Sequence, residues 1–108
     1  MQNKNDYGFY SGGYIFDRLD RAALKVARRE ALLKDKQLYT QSADIQYKKQ
    51  LCNLNGVHTR LLGVEWVGND EYEVQISLWQ GTTEIAVAYF NFKVATHNYC
   101  ETKGDQNA

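Results

Sequence analysis

The sequence predicts an α+β domain in which one long amphipathic helix is followed by about four antiparallel strands curled over its apolar face. Three observations carry this expectation. Apolar residues at Ile15, Phe16, Leu19, Ala22, Ala23, Val26, Ala27 and Ala31 follow the i, i+3, i+4, i+7 spacing of a helix with one buried side. From Leu38 onward the apolar period shortens to about two, as in strands with two unlike faces. Clusters of small and polar residues then cut that second half into hairpin-sized pieces, in a chain without proline. A single helix ahead of a run of strands, with no alternation of the two, favours an antiparallel sheet.

The helix begins at Gly12-Gly13 and extends to about Leu33, with Asp17, Arg18, Arg21, Lys25, Arg28 and Arg29 opposite its apolar stripe. Lys34 to Gln37 lose the periodicity. Leu38 to Tyr47 reads as the first strand, ending in the polar run Lys48-Lys49-Gln50, and Cys52 to Gly56 reads as a loop. Val57 to Val67 is a long strand, and Gly68-Asn69-Asp70 supplies residues that tolerate positive φ in a hairpin turn. Tyr72, Val74, Ile76 and Leu78 alternate with Glu73, Gln75 and Ser77 in the cleanest strand of the chain. After a turn at Gln80-Gly81-Thr82, Thr83 to Ala95 forms the last strand, with Ile85, Val87 and Tyr89 opposing Ala86, Ala88, Phe90 and Phe92. The expected topology is a meander. Trp79 falls on the polar side of its strand, which implies that this side is covered. Eight Tyr and two Trp are more aromatic area than a small monomer needs, which points to an interface, as does the edge a meander leaves open.

At 108 residues the chain has the length of one domain with a modest core, read here as residues 1–95 followed by a polar tail at 96–108. Thirteen basic and thirteen acidic residues give zero formal net charge, so no global field draws it to nucleic acid or membrane. With no long apolar run and no charged-then-apolar leader, the expected location is cytoplasmic. Cys52 and Cys100 are too few for a disulfide framework and lack metal-ligand spacing, while His58 and His97 stand apart from acids and cysteines. His58 is expected on a half-exposed strand. Neither a metal nor a cofactor is called for, and no Ser-His-Asp pattern or phosphate-cradling loop with a lysine is present.

One residue interrupts the helical stripe. At roughly 100° per residue, Asp20 lies about 40° from Phe16 and within about 60° of Ala23 and Ala27. An unpaired buried charge is costly, so Asp20 is either a structural carboxylate held by a backbone amide or an arginine, or an acid kept in a dry cleft for chemistry. The glycine pair upstream has the same two readings: an ordinary turn, or an unobstructed helix start whose backbone N–H groups can meet an anionic or polarised oxygen.

The run Asn5-x-x-Gly8-x-x-x-Gly12-Gly13-x-Ile15-x-x-x-x-Asp20-x-Ala22 resembles the N-x-x-G-x-x-x-G-G…D motif of hot-dog-fold acyl-CoA thioesterases. The similarity is greatest to their cytosolic acyl-CoA hydrolase branch. It continues, more weakly, at Thr40, at Tyr47-Lys48-Lys49-Gln50-Leu51, at Val67-Gly68, at Trp79 and at Phe92-Lys93-Val94-Ala95, covering about residues 5 to 95. The resemblance implies a sheet wrapped around a central helix, and a homodimer or dimer-built hexamer with active sites between subunits. It also implies hydrolysis of an acyl-CoA or related thioester to CoA and a carboxylic acid. Carried onto this chain, Asn5 is the polar group near the thioester, Asp20 activates water or attacks, and the Gly13 N–H polarises the carbonyl, with Gly12 and Thr40 beside the substrate. Such a donor aimed at a developing oxyanion is worth about 3 kcal/mol.

Three departures accompany the resemblance. Family members carry a strand ahead of the Asn, where this chain has four residues, so the sheet is one strand shorter or the start is incomplete. Asn69-Asp70-Glu71 replaces the Arg-Ser or Thr-Ser usual after the hairpin glycine, and Gln50 stands where proline is usual. Acids at that hairpin would repel the phosphates of CoA. Arg18, Arg21, Lys25, Arg28 and Arg29 offer charge instead, although the wide arc they span reads as a solvated face. A hot-dog protein without chemistry, serving as a binding or assembly module, is the alternative function.

Overall fold

The computed structural model describes residues 4, 8–31 and 37–95. Helix α1 spans Gly12–Ala31. Ser11 caps it: its Oγ accepts the Tyr14 N–H at 3.1 Å and its carbonyl accepts the Ile15 N–H at 3.2 Å. A serine hydroxyl in this position satisfies one of the orphan donors of the first turn. Arg28 and Arg29 lie in the last turn, where positive charge complements the helix dipole. Ile15, Leu19, Ala23 and Ala27, each four residues from the next, form the fully buried line of α1.

The strands are β1 (Leu38–Tyr47), β2 (Val57–Gly68), β3 (Glu71–Gln80) and β4 (Thr83–Val94). They form one antiparallel sheet in the order β1-β4-β3-β2. The expected meander therefore holds only for β2, β3 and β4. β1 does not pair with β2; it lies along the far side of β4, so among the described residues β1 and β2 are the two edges. Nine residues, Lys48 to Gly56, make the crossing. Strand spacing of about 4.8 Å puts β2 three intervals from β1, a span that such a loop covers easily. The crossing is pinned by the fully buried Leu51, whose carbonyl accepts the Tyr10 N–H at 2.7 Å, and by Lys48 and Lys49 N–H groups donating to the Ile85 carbonyl.

The two hairpins follow the turn chemistry. Asn69 and Asp70 both adopt positive φ (51° and 61°), the mirror-image turn whose twist suits antiparallel strands. Gly81 joins β3 to β4 at φ 60° and donates its N–H to the Gly56 carbonyl at 3.1 Å.

The inner face of the sheet carries Val74, Ile76 and Leu78 from β3 and Ala86, Ala88, Phe90 and Phe92 from β4, all buried. The ring of Phe16 meets Phe90 edge-on at 5.5 Å between centroids, and Phe90 stacks on Phe92 at 5.8 Å. The outer face is polar and internally bonded: Gln75 Nε2 donates to the Tyr89 hydroxyl, and Gln41 and Asn91 share the Glu71 carboxylate. Trp79 is half-buried there, and its cover comes from within the chain. The Arg60 guanidinium lies 4.1 Å from its ring centroid, and its Nε1 donates to the fully buried Ser77 hydroxyl at 2.7 Å. Among the described residues, no helix is long and apolar enough to cross a membrane.

Candidate active site

The flank of α1 that faces β1 brings together three of the residues singled out in the sequence. Asp20 sits at the margin of the apolar stripe and is half-buried, short of the buried position expected from spacing alone. Its Oδ1 accepts the Thr40 hydroxyl at 2.7 Å. Neither a backbone amide nor an arginine holds it among the described residues. Thr40 and Asp20, twenty residues apart, were each marked by the motif resemblance; their contact is a finding of the fold.

Its cause is a bulge. Thr40 pairs with Phe92 and Ser42 with Asn91, so Gln41 is an extra residue in the ladder. Perfect alternation would send Thr40 and Tyr47, seven residues apart, to opposite faces. The bulge reverses parity, so Thr40 as well as Ala43, Ile45 and Tyr47 turn toward α1. Tyr47 thereby reaches the helix start, where its hydroxyl donates to the Gly12 carbonyl at 2.8 Å. Its ring lies so close to Gly12 that a Cβ there would stand 3.1 Å from the nearest ring carbon. Glycine at 12 is what lets the phenol seat against the helix. Desolvation of the hydroxyl in that seat raises the Tyr47 pKa above the ordinary tyrosine value, although half of the side chain remains exposed.

Gly13 is exposed, and among the described residues outside the adjoining helix backbone the Ser11 hydroxyl, 3.8 Å away, is what a Cβ there would meet. With Ser11 bonded to Tyr14, the N–H groups of Gly12 and Gly13 meet no acceptor among the described residues. Gly13 and Asp20 are seven residues apart, hence about 20° from eclipsed on the helix and roughly 10.5 Å apart along its axis. Helical side chains lean toward the N-terminus, so Asp20 inclines toward the open N–H groups. Asn5 lies outside the described residues. Tyr47 and the Ser11 cap were not marked as site residues by sequence reasoning; the inward row Ala43, Ile45, Tyr47 was the available signal for the first.

Among the described residues no group of His, Cys, Asp and Glu could hold a metal ion, and Cys52 is an exposed free thiol. His58 is half-exposed at the start of β2, as expected.

No protein-family model and no curated protein matches the sequence. Solved structures do resemble the fold. A variant of the fluoroacetyl-CoA-specific thioesterase FlK, in complex with fluoroacetate and CoA, superposes with a TM-score of 0.76 at 12% identity, over 93% of this chain and 77% of that one. The hexameric thioesterase y2039 from Yersinia pestis gives 0.74 at 17% identity, over 90% and 80%. A Streptococcus mutans protein bound to acetyl CoA gives 0.65 at 24% identity, over 86% and 72%. The likeness, together with one helix held against a four-stranded antiparallel sheet, defines an α+β hot-dog fold.

Proposed function

We propose that this protein is a thioesterase that hydrolyses an acyl-CoA or related thioester. The observation that carries the reading is the half-buried Asp20 carboxylate, held by Thr40 and lying on the helical line of the open Gly12–Gly13 N–H groups. In this reading the Gly13 N–H binds the thioester carbonyl oxygen. Thr40 occupies one lone pair of Asp20 and leaves Oδ2 for a water molecule. Asp20 takes a proton as that water's oxygen bonds to the carbonyl carbon, and the negative charge moves to the carbonyl oxygen facing the N–H donor. The carbon–sulfur bond then breaks, the thiolate takes the proton back from Asp20, and the products are CoA thiol and a carboxylic acid. Thioesterases among the structural neighbours support the reaction class. Asn5, following the motif, is assigned to the polar side of the thioester.

We also propose a homodimer or dimer-built hexamer, supported by the edges β1 and β2, which pair with no further strand among the described residues, and by the exposed rings of Tyr39, Tyr47, Trp66 and Tyr89. Light scattering at tens of micromolar, a range set by ordinary homodimer affinities, should give at least twice the monomer mass. A second reading, a binding or assembly module without chemistry, is favoured by the same Asp20–Thr40 bond, since it also ties α1 to an edge strand. Free-thiol release from a broad acyl-CoA panel separates the two. The hydrolase reading expects turnover that Asp20→Asn cuts by about a hundredfold or more; no turnover across the panel leaves the module.

A further inference from the structure

The flank of α1 that faces β2 carries a second feature, which the hydrolytic site does not use. Arg18, Arg21, Ala22 and Lys25 fall at i, i+3, i+4 and i+7, one stripe along the helix. With His58 and Thr59 at the start of β2 they line an open groove of about 680 Å³. The small Ala22 side chain leaves room for it. By spacing alone the five basic residues Arg18, Arg21, Lys25, Arg28 and Arg29 form one solvated arc. The structure divides them: Arg28 and Arg29 are exposed and do not line the groove, while the other three converge on it.

Charge in the groove is only partly compensated. Among the described residues, Asp17 bridges Arg21 at 3.1 Å, and no carboxylate bridges Arg18 or Lys25. Arg18 Nη1 donates to the Tyr14 hydroxyl at 3.3 Å. Among the described residues, no acid lines the groove. The larger hollow on the outer face of the sheet, about 770 Å³, is its electrostatic opposite, with Asp44, Glu65 and Glu73 in its lining. An anion therefore has one favourable place of the two. Guanidinium groups offer planar paired donors that match phosphate oxygens. The groove volume suits an organic molecule better than a lone inorganic ion. Arg18 and Lys25 are roughly 10.5 Å apart along the axis, a stripe better matched by two or more phosphate groups than by one.

We propose that the groove between α1 and the start of β2, lined by Arg18, Arg21, Lys25, His58 and Thr59, binds a small organic ligand through two or more phosphates. This goes beyond the hydrolase reading, because it requires only the phosphates and no thioester. The same chemistry is available from a coenzyme such as CoA or from an unrelated organic polyphosphate.

Calorimetric titration of the full chain with pyrophosphate and, separately, with CoA tests the proposal. Pyrophosphate should bind at low salt and weaken as salt rises from about 20 mM to about 500 mM. The double variant Arg18→Ala/Lys25→Ala should lose at least about tenfold in affinity, or about 1.4 kcal/mol. Arg28→Ala, outside the groove, should bind like the parent, and matching thermal melts establish that all variants fold. Loss of CoA binding in the same double variant assigns the phosphates to the coenzyme. Pyrophosphate binding without CoA binding supports the groove while counting against an acyl-CoA substrate. The proposal is overturned if the parent binds neither probe, or if the double variant binds pyrophosphate as the parent does.

Discussion

The two flanks of α1 are built from one helix against one sheet, yet they treat polar groups in opposite ways. Toward β1, each polar group of the strand that reaches the helix finds a partner on it: Thr40 meets Asp20 and Tyr47 meets Gly12. Toward β2, the helix presents Arg18, Arg21 and Lys25 across an open groove to His58 and Thr59, with no hydrogen bond joining these helix and strand residues. Asp20 and Arg18 are two residues apart and therefore point about 160° away from each other. A pair of neighbouring positions thus serves two surfaces. The lesson is about satisfaction: on one flank the chain completes its own bonds, and on the other it leaves charge for something else.

What the flanks share is the core beneath them, and removing it gives the largest expected effect. Phe90 is buried on β4 under Phe16 and beside Phe92. Phe90→Ala should cost about 3–5 kcal/mol, read as a lower denaturant midpoint, and should loosen both flanks together. A smaller loss confined to one flank would show that the two are independently supported.

Thr40→Val separates the flanks. It takes the donor from a half-buried carboxylate and should cost roughly 1 kcal/mol, the value for a hydrogen bond still reachable by water. Arg18→Ala on the opposite flank should change stability by no more than about 0.5 kcal/mol. Equal losses would erase the contrast drawn here.

Gly12 permits a sharper test of the β1 flank. In the parent, Gly12→Ala drives a Cβ against the Tyr47 ring and should be destabilising despite the better helix propensity of alanine. With Tyr47→Ala already in place, the same change should become stabilising by up to about 1 kcal/mol. An unchanged sign in the two backgrounds would mean that the ring yields without cost.

The smallest effect is alkaline. Because folding raises the Tyr47 pKa, the neutral phenol is favoured in the native state, and that stability is fully present below the unfolded value of 10.0. It is lost as pH rises through the higher folded value, when the phenolate forms beside the Gly12 carbonyl. Thermal melts should therefore fall more steeply above pH 10 for the parent than for Tyr47→Phe.

How much of this was legible in the sequence differs by kind of information. Period and turn chemistry are local, so β1 at Leu38–Tyr47 and the Asn69-Asp70 hairpin could be read directly. Strand order was not legible. The Lys48–Gly56 segment lacks a tight-turn signature and reaches either edge, so nothing local chooses between pairing β1 with β2 or with β4. Asp20 and Thr40 were visible separately, one as a break in a stripe and the other through the motif resemblance. Their meeting depends on the bulge at Gln41, which a strict period-two reading cannot contain. The split among the five helix cations was hidden for a similar reason. The spacing places Arg18, Arg21 and Lys25 on one stripe, but only the seat of β2 turns that stripe into the wall of a groove.

The central claim is that the β1 flank of α1 carries hydrolytic chemistry through Asp20. The most direct measurement is thiol release from the acyl-CoA panel by the parent, Asp20→Asn and Asp17→Asn, each shown to be folded. Asp17 lies on the same helix and is exposed, in a solvated pair with Arg21. The account predicts turnover by the parent, a loss of about a hundredfold or more in Asp20→Asn, and parental rates in Asp17→Asn. Parental rates in both variants, or no turnover by the parent on any thioester, would contradict it.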